Sequence, residues 1–261
     1  RRIELGRHAQ HGGDALDHPA GDDAARFFRA EYAVDLAVAE YPKPVVAVMD
    51  GITMGGGVGL GMNADLRVVT ERTQMAMPET IIGFFPDVGA TYRLARSPGE
   101  LGTHVALTGA TFGAGDAIAL GLADTLVDSS SVEGLLDGLA KGEPLDASVG
   151  ETAPPSRLVA EQAWIDECYE GDDPVVVVHR LEGHSCAEAR AAAETIRSRS
   201  PLAVAITLEA LRRAGSGGSL AEVLETDAVI AERMLDGSDF AEGVRAQLVD
   251  KDRSPTWRHA R

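Results

Sequence analysis

The polar and apolar positions of residues 24–41 repeat with a helical period. Phe28, Tyr32, Leu36 and Ala39 are three or four positions apart, and charged or small residues stand between them. This spacing places the apolar side chains along one face, which predicts an amphipathic helix.

Shorter apolar runs follow, and they have the length and composition of strands. The run "VVAVM" at 45–49 leads into Gly51, "DLRVVTERTQMAM" occupies 65–77, and 125–127 forms a last short run. Runs rich in β-branched residues and bounded by glycine predict strands, and the stretches between them have helical spacing. This alternation of strand, turn and helix indicates an α/β arrangement.

After this part the pattern becomes almost entirely helical. A connector rich in Pro, Gly and Ser at 142–156 separates a predicted core, residues 1–141, from a predicted helical region, residues 157–261. The four valines at 175–178 have the length of a strand or short element and are interpreted as packing residues. The predicted C-terminal helices are 156–170, 186–200, 201–215 and 219–237.

Composition excludes several kinds of partner. The 261 residues include 41 acidic and 24 basic ones, and the formal net charge of −17 opposes binding to nucleic acid or to an anionic membrane. The two cysteines, Cys168 and Cys186, do not form a CxxC pair, which predicts a reducing compartment without a structural zinc site. No apolar run reaches the ~20 residues of a transmembrane helix. We therefore expect a cytoplasmic location, or the mitochondrial matrix in a eukaryote.

Three successive glycines, Gly55 to Gly57, join the first predicted strand to a predicted helix. Glycine tolerates a positive φ and lets another atom approach the backbone, and the first amides of a helix point towards anions. Such a turn binds phosphate or stabilises a carbonyl oxygen that gains negative charge. It is neither a Walker A loop nor a GxGxxG motif, and a tight turn without a ligand explains it equally well.

Two carboxylates, Glu79 and Asp87, interrupt the otherwise apolar stretch 75–94, and each follows a proline. Burying a carboxylate is costly unless it is paired, hydrogen-bonded or protonated, and the cost is easiest to understand if the acids take part in chemistry. The alternative is structural. In that case Glu79 caps the helix after Pro78, and Asp87 forms an Asx-turn before Gly89.

Three stretches carry further motifs: "KPVVAVMDGITMGGGVGLGMNADLRVVTERTQMAMPETIIGFFPDVGATYRL" at 43–94, "VALTGATFGAGDAIALGLAD" at 105–124 and "DFAEGVRAQLVDKDRSPTW" at 239–257. Together they resemble the crotonase (enoyl-CoA hydratase/isomerase) superfamily over residues 12–257, with the 3-hydroxyisobutyryl-CoA hydrolase subfamily as the nearer match. The resemblance implies an α/β fold: a ClpP/crotonase-like spiral core of ββα units with a helical C-terminal part. It also implies a first strand and helix that hold the CoA adenine, for which this chain has no room at its start.

In this family, two backbone amides hold the thioester oxygen as it becomes anionic. The resemblance places one amide at Gly56, with Gly55 also against the substrate. It places the other in the loop "AQHGGD" at 9–14, where His11 stands in place of an alanine and is expected to contact the substrate. Only a backbone N–H is required at that point.

The resemblance also gives roles to the acids. Glu79 would act as a nucleophile, through a mixed anhydride, or as the base that activates water, and both routes stay open. Asp87 would orient the acyl group or the water and influence the charge state of Glu79. Glu31, in "FRAEY", matches a glutamate that contacts the substrate and would accept a hydrogen bond from its 3-hydroxyl group.

The residue at position 59, Gly59, differs from the residue that hydratases of the superfamily have there, and this difference indicates which of the superfamily's reactions is favoured. Hydratases have a second glutamate at this position, and the loss of such an acid–base group costs roughly 10²–10⁴-fold in rate. The sequence therefore favours hydrolysis of an acyl-CoA thioester, 3-hydroxyisobutyryl-CoA in valine breakdown, over hydration. An enoyl-CoA hydratase or isomerase and a catalytically inactive crotonase-like binding protein are the alternatives.

Few other components are expected. CoA enters as part of the substrate, and no separate cofactor is predicted. His8, His11 and His18 lack regular ligand spacing, so no metal site is predicted. Family analogy implies a homo-oligomer, either a trimer or a hexamer.

Overall fold

The computed structural model describes residues 22–143 and 150–258, so His8, His11 and His18 lie outside the described residues. The helices are α1 (Asp22–Ala39), α2 (Gly56–Met62), α3 (Ala90–Leu94), α4 (Leu101–Thr108), α5 (Ala114–Ala119), α6 (Val132–Ala140), α7 (Arg157–Tyr169), α8 (Pro174–Gly183), α9 (Ala187–Arg197), α10 (Pro201–Gly215), α11 (Leu220–Leu235) and α12 (Ser238–Val244). The strands are β1 (Val46–Met49), β2 (Ile52–Met54), β3 (Leu66–Val69), β4 (Gln74–Ala76) and β5 (Thr125–Leu126). The remaining elements of the described residues are the 3₁₀ turns Glu79–Ile82 and Ser129–Ser131 and the π-helical turn Arg245–Val249.

Two small parallel sheets form the α/β part. In the first sheet β3 lies between β1 and β5, and in the second β2 pairs with β4. Parallel strands need a crossover connection, and α2 provides it between the pair β1–β2 and the pair β3–β4. The chain therefore shows the strand–strand–helix order that the resemblance implies, and the glycine turn lies where β2 enters α2.

Residues 65–77, predicted as one strand, form the two strands β3 and β4 with a turn between them. The Thr73 hydroxyl donates to the Met49 carbonyl at 2.6 Å and accepts the Thr70 amide at 2.8 Å. Threonine hydroxyls that bond to the backbone compete with the hydrogen bonds of a sheet. The turn therefore forms although the apolar residues on either side have strand character.

The four valines at 175–178 lie in helix α8 rather than in a strand. The Asp173 side chain accepts the amide of Val175 at 2.8 Å, and Pro174 occupies the first turn. Both are signals of a helix start, and they outweigh the strand preference of valine. Val177 is buried whereas Val175 is 61% exposed, so only one side of this helix packs.

One hydrophobic cluster joins the α/β part to the helical part. It includes Met62 and Phe85 from the first and Leu208 from the second, all fully buried. The division at 142–156 stays a prediction, and residues 144–149 lie outside the described part. Among the helices that the structure describes, none is long and apolar enough to cross a membrane.

Helix α1 packs against α11 and against α2, and this position decides which of its side chains reach the glycine turn. Arg29 on α1 donates to Glu232 on α11 at 2.9 Å, but both side chains are more than half exposed, so the pair contributes little to stability. Apolar packing holds the helix instead, and Tyr32 is 3% exposed. The inner face of α1 is thus directed at α2.

Candidate active site

The turn between β2 and α2 has a backbone conformation that glycine adopts most easily. Gly55 has a φ of 53° and a ψ of −125°, and its N–H donates to the Ala76 carbonyl at 3.2 Å. The first amides of a helix have no acceptor within it. The Gly56 N–H makes no hydrogen bond to any residue of 22–143 or 150–258, so it is available to a bound oxygen atom.

Glu79 opens the 3₁₀ turn after Pro78, and its side chain lies against the glycine turn. Its Oε1 is 3.0 Å from the point that a β-carbon on Gly55 would occupy. The residue is 7% exposed, and Oε2 has no hydrogen-bond partner within the described part of the chain. Burial, followed by the charge of Asp87, raises the pKa of Glu79 well above its ordinary value of 4.5. No side chain caps the turn, so the capping alternative does not explain this acid.

Asp87 is 5% exposed and is held by a tyrosine. The Tyr32 hydroxyl donates to Asp87 Oδ2 at 2.7 Å. Burial raises the pKa of Asp87 to about 7, although this hydrogen bond acts in the opposite direction. The Asx-turn alternative is wrong, because the Gly89 N–H donates to Asp227 Oδ2 at 3.0 Å instead. Side chains from α1 and α11 therefore hold this turn.

Glu31 reaches the same glycine turn from α1. Its Oε1 is 2.5 Å from the point that a β-carbon on Gly56 would occupy, so any side chain at position 56 would have to displace the Glu31 carboxylate. Burial raises the pKa of Glu31. The structure thus brings Glu31 and Glu79 against Gly55 and Gly56, with Asp87 near enough to Glu79 to raise its pKa. The roles of these residues stay predictions, and His11 lies outside the described residues.

Position 59, where hydratases of the superfamily have a glutamate, is enclosed from two sides. A β-carbon on Gly59 would lie 2.6 Å from Val88 Cβ and 3.1 Å from Asp35 Oδ1. Val88 itself has a φ of 54°, which is strained for a β-branched residue. Val88 and Asp35 would have to move before any side chain fits at position 59.

The sequence motifs do not point to three residues of this site. The helical period identifies Tyr32 as buried, but it says nothing about the bond from its hydroxyl to Asp87. Asp35 lies four positions after Glu31 and so on the same face of α1, and that spacing was a usable signal. Asp227 follows Gly89 by 138 residues, and no local pattern connects the two.

Acidic groups with raised pKa values accumulate around the glycine turn. They are Glu31, Asp35, Glu79, Asp87 and Asp227, and burial is the largest cause in each case. Perturbed acids beside a free amide are typical of an active site. Over residues 22–143 and 150–258, no three His, Cys, Asp or Glu side chains form a group that could hold a metal ion.

Comparison with known proteins identifies the family. A family model described as enoyl-CoA hydratase/isomerase matches residues 7–261. The chain belongs to the enoyl-CoA hydratase/isomerase family. A curated relative of this family member, the mitochondrial 3-hydroxyisobutyryl-CoA hydrolase of Danio rerio, is 37% identical over 250 residues. The match covers 89% of this chain and 64% of the relative, so the chain spans somewhat less than two-thirds of that protein.

Two solved structures have the same fold as this enoyl-CoA hydratase/isomerase family member. The carnitinyl-CoA dehydratase of Mycobacterium thermoresistibile is 44% identical and the enoyl-CoA hydratase of Rhodobacter sphaeroides 2.4.1 is 42% identical, each with a TM-score of 0.86. Both matches cover 91% of this chain and 69% of the other. They confirm the predicted crotonase-like α/β core with a helical C-terminal part. The names of the three relatives describe different reactions. Membership of the family does not decide which of these reactions this chain catalyses.

Proposed function

We propose that this protein hydrolyses a short acyl-CoA thioester and that 3-hydroxyisobutyryl-CoA is its substrate. One observation carries the proposal. Glu79 lies against Gly55, the neighbour of the free Gly56 amide, and under the charge of Asp87, while Val88 and Asp35 enclose position 59, where a hydratase has its second glutamate. Hydrolysis needs a nucleophile or base and a donor to the developing oxyanion, and these residues supply both.

Each group has a defined task in the proposed reaction. The Gly56 N–H donates to the thioester oxygen, and the second amide is assigned to the loop 9–14 that contains His11, outside the described residues. Glu79 either attacks the thioester carbon, which forms a mixed anhydride that water then hydrolyses to release the acyl group and restore Glu79, or takes a proton from the attacking water. In both routes the C–S bond breaks, CoA leaves as a thiolate that takes up a proton, and the acyl group leaves as a carboxylate. Asp87 orients the water or the acyl group.

Glu79 must be ionised for either route, and the structure favours its neutral form before substrate binds. The Tyr32 hydroxyl stabilises the anion of Asp87, whereas Glu79 Oε2 has no donor among the described residues. A proton shared by the two acids therefore rests on Glu79. Activity is expected to rise with pH as Glu79 loses this proton, through a range well above pH 4.5.

The substrate is inferred from Glu31 and from the zebrafish relative. Glu31 lies beside Gly56, where it would accept a hydrogen bond from a 3-hydroxyl group of the acyl chain. The relative is named a 3-hydroxyisobutyryl-CoA hydrolase and a mitochondrial protein. A role in valine breakdown, in the cytoplasm or the mitochondrial matrix, is part of the proposal. CoA enters with the substrate, and the proposed chemistry uses no separate cofactor.

CoA release measured with a thiol reagent, together with mass spectrometry of the acyl-CoA, tests this proposal in the full-length protein. We expect rapid release from 3-hydroxyisobutyryl-CoA, slower release from isobutyryl-CoA, which lacks the hydroxyl, and no change of crotonyl-CoA. Glu79→Gln serves as the inactive control. The proposal is wrong if no CoA is released from any of the three.

Enoyl-CoA hydration is the second candidate, because the two solved structures at 42% and 44% identity are named a hydratase and a dehydratase. In the same assay it would add water to crotonyl-CoA while the product stays attached to CoA. A protein that changes none of the compounds would instead fit the inactive binding protein.

A further inference from the structure

Asp35 is an acid for which the proposed reaction has no direct use. It is 0% exposed, and neither carboxyl oxygen has a hydrogen-bond partner in the described part of the chain. It projects from the inner face of α1, four residues after Glu31, and its Oδ1 faces Gly59 of α2. A buried carboxylate without a donor is unstable relative to its neutral form.

The charges that act on Asp35 are negative on every side. They belong to Glu31 on the same helix, Asp87 in the turn before α3 and Asp227 on α11. Helix α2, which also faces Asp35, has no charged side chain. The Tyr32 hydroxyl donates to Asp87, so it does not relieve Asp35.

Arginines on α1 and α3 bind other groups. Arg29 of α1 donates to Glu232 on α11, and Arg93 of α3 donates to Asn63 at 3.3 Å. No cation is therefore among the charges that shift the pKa of Asp35. This acid has neither a donor nor a counter-ion.

Hydrogen-bond donors distinguish Asp35 from its neighbours. Tyr32 stabilises negative charge on Asp87, and the Gly89 N–H does so on Asp227. Asp35 has no equivalent, and burial with the three surrounding acids raises its pKa to about 8. Burial also raises the pKa of Asp227 well above its ordinary value. Asp227 is therefore the alternative acid that could hold the proton instead of Asp35.

We propose that Asp35 is a positioning residue that stays protonated during the reaction and thereby limits the negative charge beside Asp87. This inference rests on the proposed function. If Asp35 lost its proton, a new charge would face Asp87 and Tyr32 inside a buried site. That charge would oppose the negative charge that develops on the thioester oxygen and would raise the proton affinity of Asp87 and Glu79.

The test is the ratio of kcat at pH 9 to kcat at pH 7, measured for the full-length protein and for Asp35→Asn. About a tenth of Asp35 would keep its proton one pH unit above a pKa of about 8, so the wild-type ratio is expected to be about tenfold lower than that of Asp35→Asn. Asparagine is neutral at both pH values, so the ratio for Asp35→Asn reflects the ionisation of Glu79 alone and should be one or higher. Glu40→Gln removes an ionisable carboxyl group at an exposed position and should behave as wild type.

Infrared spectroscopy gives a readout that does not depend on turnover. Wild type at pH 7 is expected to show the C=O band of a protonated carboxyl, and part of this band should be missing from Asp35→Asn. Equal bands in the two proteins would overturn the inference. The inference would also be wrong if wild type and Asp35→Asn had the same kcat ratio. It would be wrong as well if the ratio were raised above that of wild type by Asp227→Asn and not by Asp35→Asn.

The failure of each idea has its own signature. If wild type hydrolyses no acyl-CoA, the proposed function fails and the role of Asp35 in it fails too, while the infrared difference still decides whether Asp35 carries a proton. If wild type hydrolyses the thioester but both pH ratios agree, the proposed function stands and only the inference is wrong.

Discussion

The hydroxyl of Tyr32 donates a 2.7 Å hydrogen bond to Oδ2 of Asp87, across 55 residues of sequence. Both residues are at most 5% exposed, and a hydrogen bond away from water is stronger than one at the surface. The bond stabilises the carboxylate and so opposes the effect of burial on the pKa of Asp87. Helix α1 therefore influences the charge of a turn that belongs to another part of the chain.

Replacing Tyr32 with phenylalanine tests this relationship. Without the hydroxyl, the pKa of Asp87 should rise above about 7 and the shared proton should move towards Asp87, so the acidic limb of the kcat profile, which reports the ionisation of Glu79, should move to lower pH. A shift of one pH unit would raise kcat about tenfold at a fixed pH on that limb. Tyr41→Phe, at a tyrosine that is 56% exposed, is the matched control. If the two variants give the same profile, Tyr32 does not set the charge of Asp87.

Glu79→Gln and Asp87→Asn should lower kcat strongly and in a non-additive way. We expect a loss of several powers of ten for Glu79→Gln, and the double variant should be little worse, because residues that act as a unit do not add. The free energy of unfolding should stay constant or rise, since a raised pKa makes Glu79 progressively destabilising as pH increases above 4.5. Thioester hydrolysis and thermal unfolding of the same proteins check both effects. Modest, additive rate losses with lower melting temperatures would show that the acids are structural.

Gly56→Pro and Gly56→Ala separate the amide from the space around it. Proline removes the N–H but is tolerated in the first turn of a helix, so the protein should fold and lose about 10²–10³-fold in kcat. Alanine keeps the N–H, and its β-carbon meets only the end of the Glu31 side chain. Its main effect should therefore be a higher KM. A proline variant that is folded by circular dichroism and turns over normally would exclude Gly56 from the oxyanion site.

Two alanine substitutions in α2 test why position 59 is glycine. Gly59→Ala would place a β-carbon 2.6 Å from Val88 and should lower the free energy of unfolding by about 1–3 kcal/mol. At Gly57 the nearest atom would be 3.8 Å away, and alanine there should be neutral or stabilise by up to about 1 kcal/mol. Urea unfolding measures both. Equal stabilities would mean that Val88 yields easily and that steric enclosure does not explain the glycine at position 59.

Asp35→Asn should stabilise the protein increasingly as pH rises. The pKa of Asp35 is raised from 3.8 to about 8, so the stability that depends on its proton is present below pH 3.8 and is lost as pH rises to about 8. The Asp35→Asn variant loses none of this stability between pH 3.8 and about pH 8. At pH 7 its free energy of unfolding should exceed that of wild type by about 1–4 kcal/mol. Denaturant unfolding from pH 4 to pH 8 checks this, and a constant difference would contradict it.

Much of the fold could be predicted where the relevant signals are local. The apolar period of α1, the glycine run and the proline-anchored acids all lie within short windows of sequence, and the motifs around them implied the ββα order. The prediction was wrong at residues 65–77 because a threonine side chain, Thr73, bonds to the backbone of a neighbouring strand. It missed α8 because Asp173 and Pro174 start a helix within a run of valines.

The site itself was predicted only in part. Glu79, Asp87, Gly56 and Glu31 stand in recognisable motifs, and the structure brings their elements together. Asp227 could not be found in this way, because its contact with Gly89 depends on how α11 packs. Hydrogen bonds between distant elements are a product of tertiary structure and leave no periodic pattern.

The bond between Asp227 and Gly89 has a consequence for biosynthesis. During translation, Glu79 and Asp87 are made well before α11, which carries the partner of their turn. Closing a loop of 138 residues has an entropic cost that must be met before the contact forms, so this contact belongs to the later stages of folding. A nascent chain that ends before α11 would contain Glu79, the proposed nucleophile or base, and its acidic neighbour Asp87, but not the side chain of Asp227 that holds their turn. The proposed hydrolytic activity should therefore first appear only after the last helices have been synthesised and have packed.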